Sequence, residues 1–246
     1  MTNTLTVVVP IYDPTFNQKQ RILRMVGSIA NQSLVPEEVV LSCSHEIPYL
    51  IEIEIALQAK TLLKFFLNNS TSAPENLNLG IRGSTSSLVK ILFQDDFLVG
   101  ANHLELLKRK LVNSQSQWGV SSSTDFNEAL GFFKKPRIPK FSEALSRGKN
   151  KIGAPSVAIF RKESFVPFDE RLKYVFDCEW YLSMKHRFGK PLVIPDASVG
   201  IGIHSDQATH WAKSLLEAET VLVKRKHHME FSGFLKSGVC ACQVNG

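Results

Sequence analysis

Two adjacent carboxylates close an apolar run: Leu88–Phe93 (Leu-Val-Lys-Ile-Leu-Phe) leads through Gln94 to Asp95 and Asp96. A short run of that kind reads as a buried strand. In an open α/β sheet, ligands bind beyond the carboxyl ends of the strands. Paired oxygen donors there suit Mg²⁺ or Mn²⁺, ions commonly shared with substrate phosphates. Aspartate also closes strands simply because it favours turns, so the pair has an ordinary structural reading as well. A second acidic group contains Asp169, Glu170, Asp177 and Glu179. Asp177 falls where a helix would begin; N-capping explains it, and so does general-base chemistry on a hydroxyl. His204 follows the stretch Gly200-Ile-Gly-Ile. It is a candidate ligand for a metal or a diphosphate, set against the structural role that a lone histidine more often has.

The elements needed to hold these groups are readable from hydrophobic patterning. Leu5–Pro10 is short, β-branched and nearly continuous in apolar character, as in a buried parallel strand. Pro14 disfavours its continuation. Ile22, Val26, Ile29 and Ala30 then recur at helical spacing. Glu38–Leu41 reads as the second strand, 48–60 as a crossover helix despite its Ile-Glu-Ile-Glu-Ile alternation, and Lys64–Leu67 as the third strand. A helix or turn over 75–85 precedes the fourth strand, Leu88–Phe93. The first hundred residues thus read βαβαβαβ, the pattern of a doubly wound α/β sheet. Beyond them, His103–Val112 and Phe176–Phe188 read as helices, the second closed by Gly189. Trp118–Ser122, Ser156–Arg161 and Ser198–His204 read as strands, and Trp211–Lys226 as a terminal helix. The expected organisation is one domain over 1–210, in two halves (1–100 and 101–210). Residues 211–246 then form a C-terminal helix and tail, with no role assigned after 229.

Composition bounds the function. The chain has 246 residues, 43% of them hydrophobic, which is enough for one medium α/β domain. No apolar run is long enough to span a bilayer, and no signal-peptide pattern opens the chain, so a cytoplasmic location is expected. The four cysteines, Cys43, Cys178, Cys240 and Cys242, are too sparse and irregular for a disulfide framework. His227-His228 and Cys240-x-Cys242 match no familiar zinc spacing. The net charge of +6 is concentrated in residues 81–160, and it is densest from Lys134 to Lys151, where Glu143 is the one acid. Such a stripe is either a solvated loop or a docking surface for phosphates or an anionic membrane face. No nucleic-acid-binding motif accompanies it, so nucleic acid is not an expected partner.

Taken in order, several segments resemble a family 2 glycosyltransferase of the GT-A type. Val7–Asp13 (Val-Val-Val-Pro-Ile-Tyr-Asp), Gly27–Gln32 and Glu37–Leu41 are similar to the family's opening. Ala73–Gly80 is similar to its segment before the fourth strand, and Ile91–Asp96 stands where the family keeps a metal-binding Asp-x-Asp. Phe168–Leu172 and Phe176–Leu182 resemble the acceptor-side motif that contains the catalytic base. The resemblance covers roughly residues 4–205. It implies transfer of a sugar from a nucleotide-diphosphate donor to a glycan or lipid-linked acceptor, with inversion and with Mn²⁺ or Mg²⁺, in surface polysaccharide or glycolipid assembly. It also implies site residues. Pro10, Tyr12, Asp13, Ser42, Asn78 and Asp95 would face the donor, and Asp95, Asp96 and His204 the metal, with Asp96 weighted above Asp95. Asp177 would be the base, with Glu179 in reserve. Two segments depart from the pattern. Leu41-Ser-Cys-Ser-His45 replaces the usual Asp-Asp-Gly-Ser, and Phe93 or Gln94 stands where the first metal acid would be. Two other readings of the same residues are a nucleotide- or glycan-binding protein without turnover and a nucleotidyltransferase. The second is disfavoured because no Gly-rich phosphate loop follows the first strand.

Overall fold

Leu5–Ile11 (β1) is buried along its whole length, as a strand covered on both faces must be. In the computed structural model it pairs in parallel with Glu38–Cys43 (β2) and with Leu88–Ile91 (β4). Leu62–Leu67 (β3) extends β2 in parallel and forms a half-exposed edge. The structure describes residues 3–58, 60–205, 207 and 213–237, with side chains for all of these except 16, 132 and 228–237. Lys19–Ala30 (α1), Leu50–Ala56 (α2) and Ala73–Gly83 (α3) make the crossovers. Helix α1 buries Ile22, Met25, Val26 and Ile29, spaced for a single face. Each such side chain contributes roughly 1.5–3 kcal/mol of burial before entropy is charged against it. Helix α3 lies against β1 because Gly80 has no side chain: a Cβ there would stand 2.7 Å from Val8 Cγ1.

The second half completes one mixed, mainly parallel sheet. Phe97–Val99 is β5, His103–Val112 α4, Trp118–Asn127 β6, Phe132–Phe133 β7, Ala158–Arg161 β8, Phe176–Phe188 α5, Leu192–Ile203 β9 and Leu216–Ser237 α6. The strand order is β3-β2-β1-β4-β8-β6-β9-β5, with β7 hairpinned onto β6. Strand β8 runs antiparallel to β4 and β6, β9 runs parallel to β6, and β5 antiparallel to β9. Helix α5 is buried from Cys178 to Met184, with Trp180 stacked on Phe168 at 4.8 Å and edge-on to Trp118 at 6.0 Å. It is a core helix, buried on all sides over that stretch, Glu179 and Ser183 included.

The α/β class, the order of the first four strands and the span of α5 match the sequence reading. Several boundaries differ. Strand β4 stops at Ile91, so Leu92 and Phe93 belong to the exit loop that carries the aspartates. The expected strand over 156–161 is a 3-10 turn (Pro155–Val157) followed by β8. Strand β9 begins at Leu192 rather than Ser198. Pro195 hides that start from a pattern reading, because a proline donates no ladder bond. The pairing with β6 jumps from Ser121↔Ile194 to Ser122↔Ser198. Ser122 Oγ meets the bulged segment at the carbonyls of Pro195 (3.0 Å) and Ala197 (2.8 Å). The terminal helix begins at Leu216 and runs on to Ser237; residues 211–212 of the expected span lie outside the described residues. Cys240 and Cys242 lie outside them as well. None of the helices among the described residues is long and apolar enough to cross a membrane.

Candidate active site

The exits of β1 and β4, the N-terminus of α5 and the end of β9 meet at one cleft of about 460 Å³. That volume lies within the usual range for small-molecule sites. Tyr12, Phe93, Asp95 and Asp96 line one side, Lys173, Tyr174, Phe176 and Asp177 another, and the 70–75 loop a third. Asp95 and Asp96 reach it because β5 pairs with β9, setting Phe97 opposite Gly200 and bringing the turn alongside Gly202. A Cβ on Gly202 would stand 2.5 Å from the Asp95 carbonyl oxygen, so this approach requires glycine.

The two aspartates are not equivalent. Asp95 Oδ2 lies 3.0 Å from His204 Nε2 and accepts the Tyr12 hydroxyl at 3.3 Å. Asp96 is turned back into protein, where its Oδ1 accepts the Gly202 N–H at 3.2 Å and the Ser156 hydroxyl also donates to it. Burial, and then the neighbouring Asp95 charge, push the Asp96 carboxyl well above the usual carboxylate range. Burial, followed by Asp95 and Asp96, likewise pushes the Tyr12 phenol up. Behind the site, burial pulls the Lys90 ammonium down to about 7. That group donates to the carbonyls of Ile91 and Ser156, the two segments that converge on Asp96.

Asp177 lies in the first turn of α5 but does not cap it; the N-cap is Val175, which carries no side-chain cap. Asp177 Oδ2 accepts Asn150 Nδ2 at 2.6 Å, and Oδ1 accepts the Cys178 N–H at 2.6 Å. Burial raises its carboxyl above the ordinary range. A carboxyl held in that way at a cleft wall, with its affinity for a proton raised, is suited to general-base chemistry.

Other sequence candidates lie elsewhere. Asn78 is spent on the 168–170 loop: its Nδ2 donates to the Phe168 carbonyl (2.9 Å) and Glu170 Oε1 (2.8 Å), and its Oδ1 accepts the Phe168 N–H (2.8 Å). Glu179 is wholly buried on the far side of α5, against Ser183, Lys226 and His227. Ser42 is buried in β2 under Gly80. Pro10 is buried in β1 opposite Ser42. None of these four lines the cleft. Asp13 instead closes a local turn by accepting the Thr15 N–H at 3.0 Å. Gln94, noted above only as a departure from the metal motif, has a structural use: its Oε1 accepts the N–H groups of Tyr12 (3.0 Å) and Asp13 (3.3 Å). Gln94 thus ties the β1 exit to the β4 exit, a use for an amide where a carboxylate was looked for. Asn150 was missed. Its neighbourhood reads as a basic loop, and only the fold brings it to Asp177.

Among the described residues no cluster of three or more His, Cys, Asp or Glu side chains is disposed to hold a metal. Asp95 and His204 form a two-donor set. Adjacent ligands of an octahedral ion with bonds of about 2.1 Å are about 3.0 Å apart, which is the separation seen between them. The pair therefore fits such an ion only with further oxygens from substrate or water.

The fold has clear counterparts among solved structures. S. aureus TarS residues 1–349 in complex with UDP superposes with a TM-score of 0.63 over 88% of this chain and 65% of that one, at 16% identity. The fold is of the GT-A type. GalNAc-T7 with UDP, GalNAc and Mn²⁺ shares this GT-A architecture at a TM-score of 0.61 and 14% identity, covering 82% of this chain and 44% of that one. TarS 1–349 with UDP-GlcNAc matches at 0.61 over 84% and 60%. These GT-A neighbours are glycosyltransferases, and the present chain spans less than two thirds of their length. No protein-family profile matches the sequence, and neither does any curated protein.

Proposed function

We propose that this protein is a glycosyltransferase that moves a sugar from a nucleoside diphosphate to an acceptor hydroxyl with inversion, along family 2 lines. The observation that carries the reading is one cleft, at the strand exits of a GT-A-type sheet, faced by Asp95 and Asp96 on one wall and Asp177 on another. UDP in the solved neighbours makes a uridine donor, such as UDP-GlcNAc, the first choice. In this reading the 12–13 turn and the 70–75 loop border the nucleotide. Asp177 takes the proton of the acceptor hydroxyl, whose oxygen then bonds to the anomeric carbon as the bond to the diphosphate breaks. Holding the two partners in line removes much of the entropic barrier.

Asp95 and His204 would hold Mn²⁺ or Mg²⁺, and Asp96 would support Asp95 from behind rather than lead it. The ion would neutralise the charge of the leaving diphosphate. The wall chemistry supports that need: Glu75, Asp95, Asp96 and Asp177 line the cleft against one cation, Lys173, among the described residues. A glycan or lipid-linked sugar as acceptor, surface polysaccharide or glycolipid assembly as the setting, and a cytoplasmic site at the anionic membrane face complete the proposal. Binding of a nucleotide without turnover is the second reading, favoured by Gln94 standing where a metal acid would be.

A thermal-shift series with UDP, GDP, CMP and dTDP, with and without Mn²⁺, tests the assignment. UDP with Mn²⁺ should stabilise selectively, by about 2.7 kcal/mol at a hundred times Kd. Release of UDP from UDP-GlcNAc by the wild type, and none by Asp95→Ala, separates turnover from binding. Equal rates in the two proteins would defeat the placement of the donor.

A further inference from the structure

Glu219 has no part in the site described so far, yet it is placed to govern it. It sits on α6, 5% exposed. Its carboxylate accepts three consecutive backbone N–H groups: Lys173 at 2.8 Å on Oε1, and Tyr174 at 2.9 Å and Val175 at 3.0 Å on Oε2. Those residues are the approach to α5. Lys173 and Tyr174 line the cleft, Phe176 and Asp177 follow directly, and Val175 is the N-cap that lacks a side-chain cap of its own. A helix start favours negative charge, and here a carboxylate 44 residues away from the N-cap supplies it while taking the N-cap N–H and the two N–H groups before it.

Two further contacts fix the same helix in register. Glu179 on α5 takes Lys226 Nζ at 2.7 Å and His227 Nε2 at 3.3 Å, both from α6. Gly148, just before the loop that carries Asn150, is packed so closely by α6 that a Cβ there would meet Leu216 Cδ1 at 2.5 Å. Asn150 in turn holds Asp177 at 2.6 Å. Helix α6 therefore bears on both supports of the cleft carboxylate, the α5 N-terminus and the Asn150 loop.

We infer that Glu219 is a positioning residue that sets the Lys173–Asp177 wall of the cleft from outside it. This rests on the transferase reading, and it adds that the C-terminal helix is part of the working unit. The test compares wild type, Glu219→Ala, Glu219→Gln and the control Glu217→Gln, an exposed neighbour on the same helix. The readouts are UDP-GlcNAc hydrolysis with Mn²⁺, UDP binding by calorimetry, and amide hydrogen exchange. Glu219→Ala should lower kcat at least ten-fold while the KM for UDP-GlcNAc and the Kd for UDP stay within two-fold. The amides of 173–175 should lose protection while those of β1 keep theirs. Glu219→Gln, which keeps one acceptor oxygen, should fall between, and Glu217→Gln should match wild type. If Glu219→Ala does not fold, the Gln variant decides, with a three-fold or greater loss of kcat as the expected result. An active wild type whose Glu219→Gln variant loses less than three-fold in kcat overturns the assignment alone. So does a variant whose kcat, UDP affinity and β1 protection all fall together. A wild type that neither binds UDP nor consumes UDP-GlcNAc overturns the transferase reading, and this assignment with it.

Discussion

At the residue scale the site shows how far side-chain type and side-chain role can separate. Asp95, Asp96, Asp177 and Tyr12 line the cleft, and their types carry chemistry that a sequence reading can single out. Asn78 and Glu179 lie in segments of the same resemblance, yet their polar atoms go to the 168–170 loop and to α6, since buried polar groups are nearly always paired within the protein. Asp177 allows a direct test. Burial raises its carboxyl above the unfolded value of about 3.9. The proton-bound form is thus favoured by folding. The associated stability is full below about pH 3.9 and is lost as pH rises through the folded value. At pH 7 the ionised group opposes folding. Asp177→Asn should therefore raise Tm at pH 7, by about 2 °C for each ~0.5–1 kcal/mol relieved. The gain should vanish near pH 3.5 in the same melting series. The variant should also lose about 10²–10⁴ in turnover if the group is the base. In the wild type, the acid limb of kcat/KM should lie above the range of an ordinary carboxylate. A variant with unchanged turnover would remove Asp177 from the mechanism.

At the element scale, glycines report where backbone must come close. Gly202→Ala should push β9 off the Asp95 carbonyl, which lies 2.5 Å from the added Cβ and cannot swing aside as a flexible side chain would. That shift breaks the Gly202 N–H bond to Asp96 and moves His204 from Asp95. The expected cost is about 1–3 kcal/mol in urea unfolding, with at least ten-fold weaker Mn²⁺-dependent UDP binding by titration. Gly27→Ala is the opposite case. It lies inside α1 with nothing within 4 Å of the added carbon, so it should stabilise by about 0.5–1 kcal/mol and leave binding unchanged. The elements themselves divide along similar lines. Strands β1, β2 and β4 and helix α5 were legible because burial on both faces, or a closing Gly189, writes itself into local sequence, and the edge strand β3 because its apolar run is bounded by loop residues. The three-residue β5 and two-residue β7 were not, for neither is long enough to show a period. The start of β9 was hidden by Pro195 and its bulge. The pairing of β5 with β9 is what brings the aspartates to Gly202, so the least legible strand is the one that assembles the site.

At the scale of the whole molecule, charge is segregated. The cleft is acidic, while the segment from Lys134 to Lys151 carries the basic excess. Within that segment Lys134 and Arg137 share Asp125, at 3.7 and 2.6 Å, which leaves them less to offer a partner. Lys135, Lys140, Arg147, Lys149 and Lys151 are exposed. Leu130, Phe133 and Ile138 stand out beside them at 68%, 51% and 57% exposure, an apolar fringe that water alone does not favour. A basic surface with such a fringe suits an anionic lipid face, where each well-placed cation is worth about 1 kcal/mol. If a lipid-linked acceptor is used, docking there would also bring the acceptor to the cleft at raised local concentration. Flotation with vesicles rich in the anionic lipid phosphatidylglycerol should carry the protein up at low salt and release it at about 0.5 M, where the Debye length is only a few ångströms. Lys135→Glu with Lys140→Glu and Lys149→Glu should abolish flotation and leave UDP binding intact, because none of the three lines the cleft. Equal flotation on neutral vesicles would assign any attachment to the apolar side chains, and no flotation on either would mark the stripe as a solvated loop.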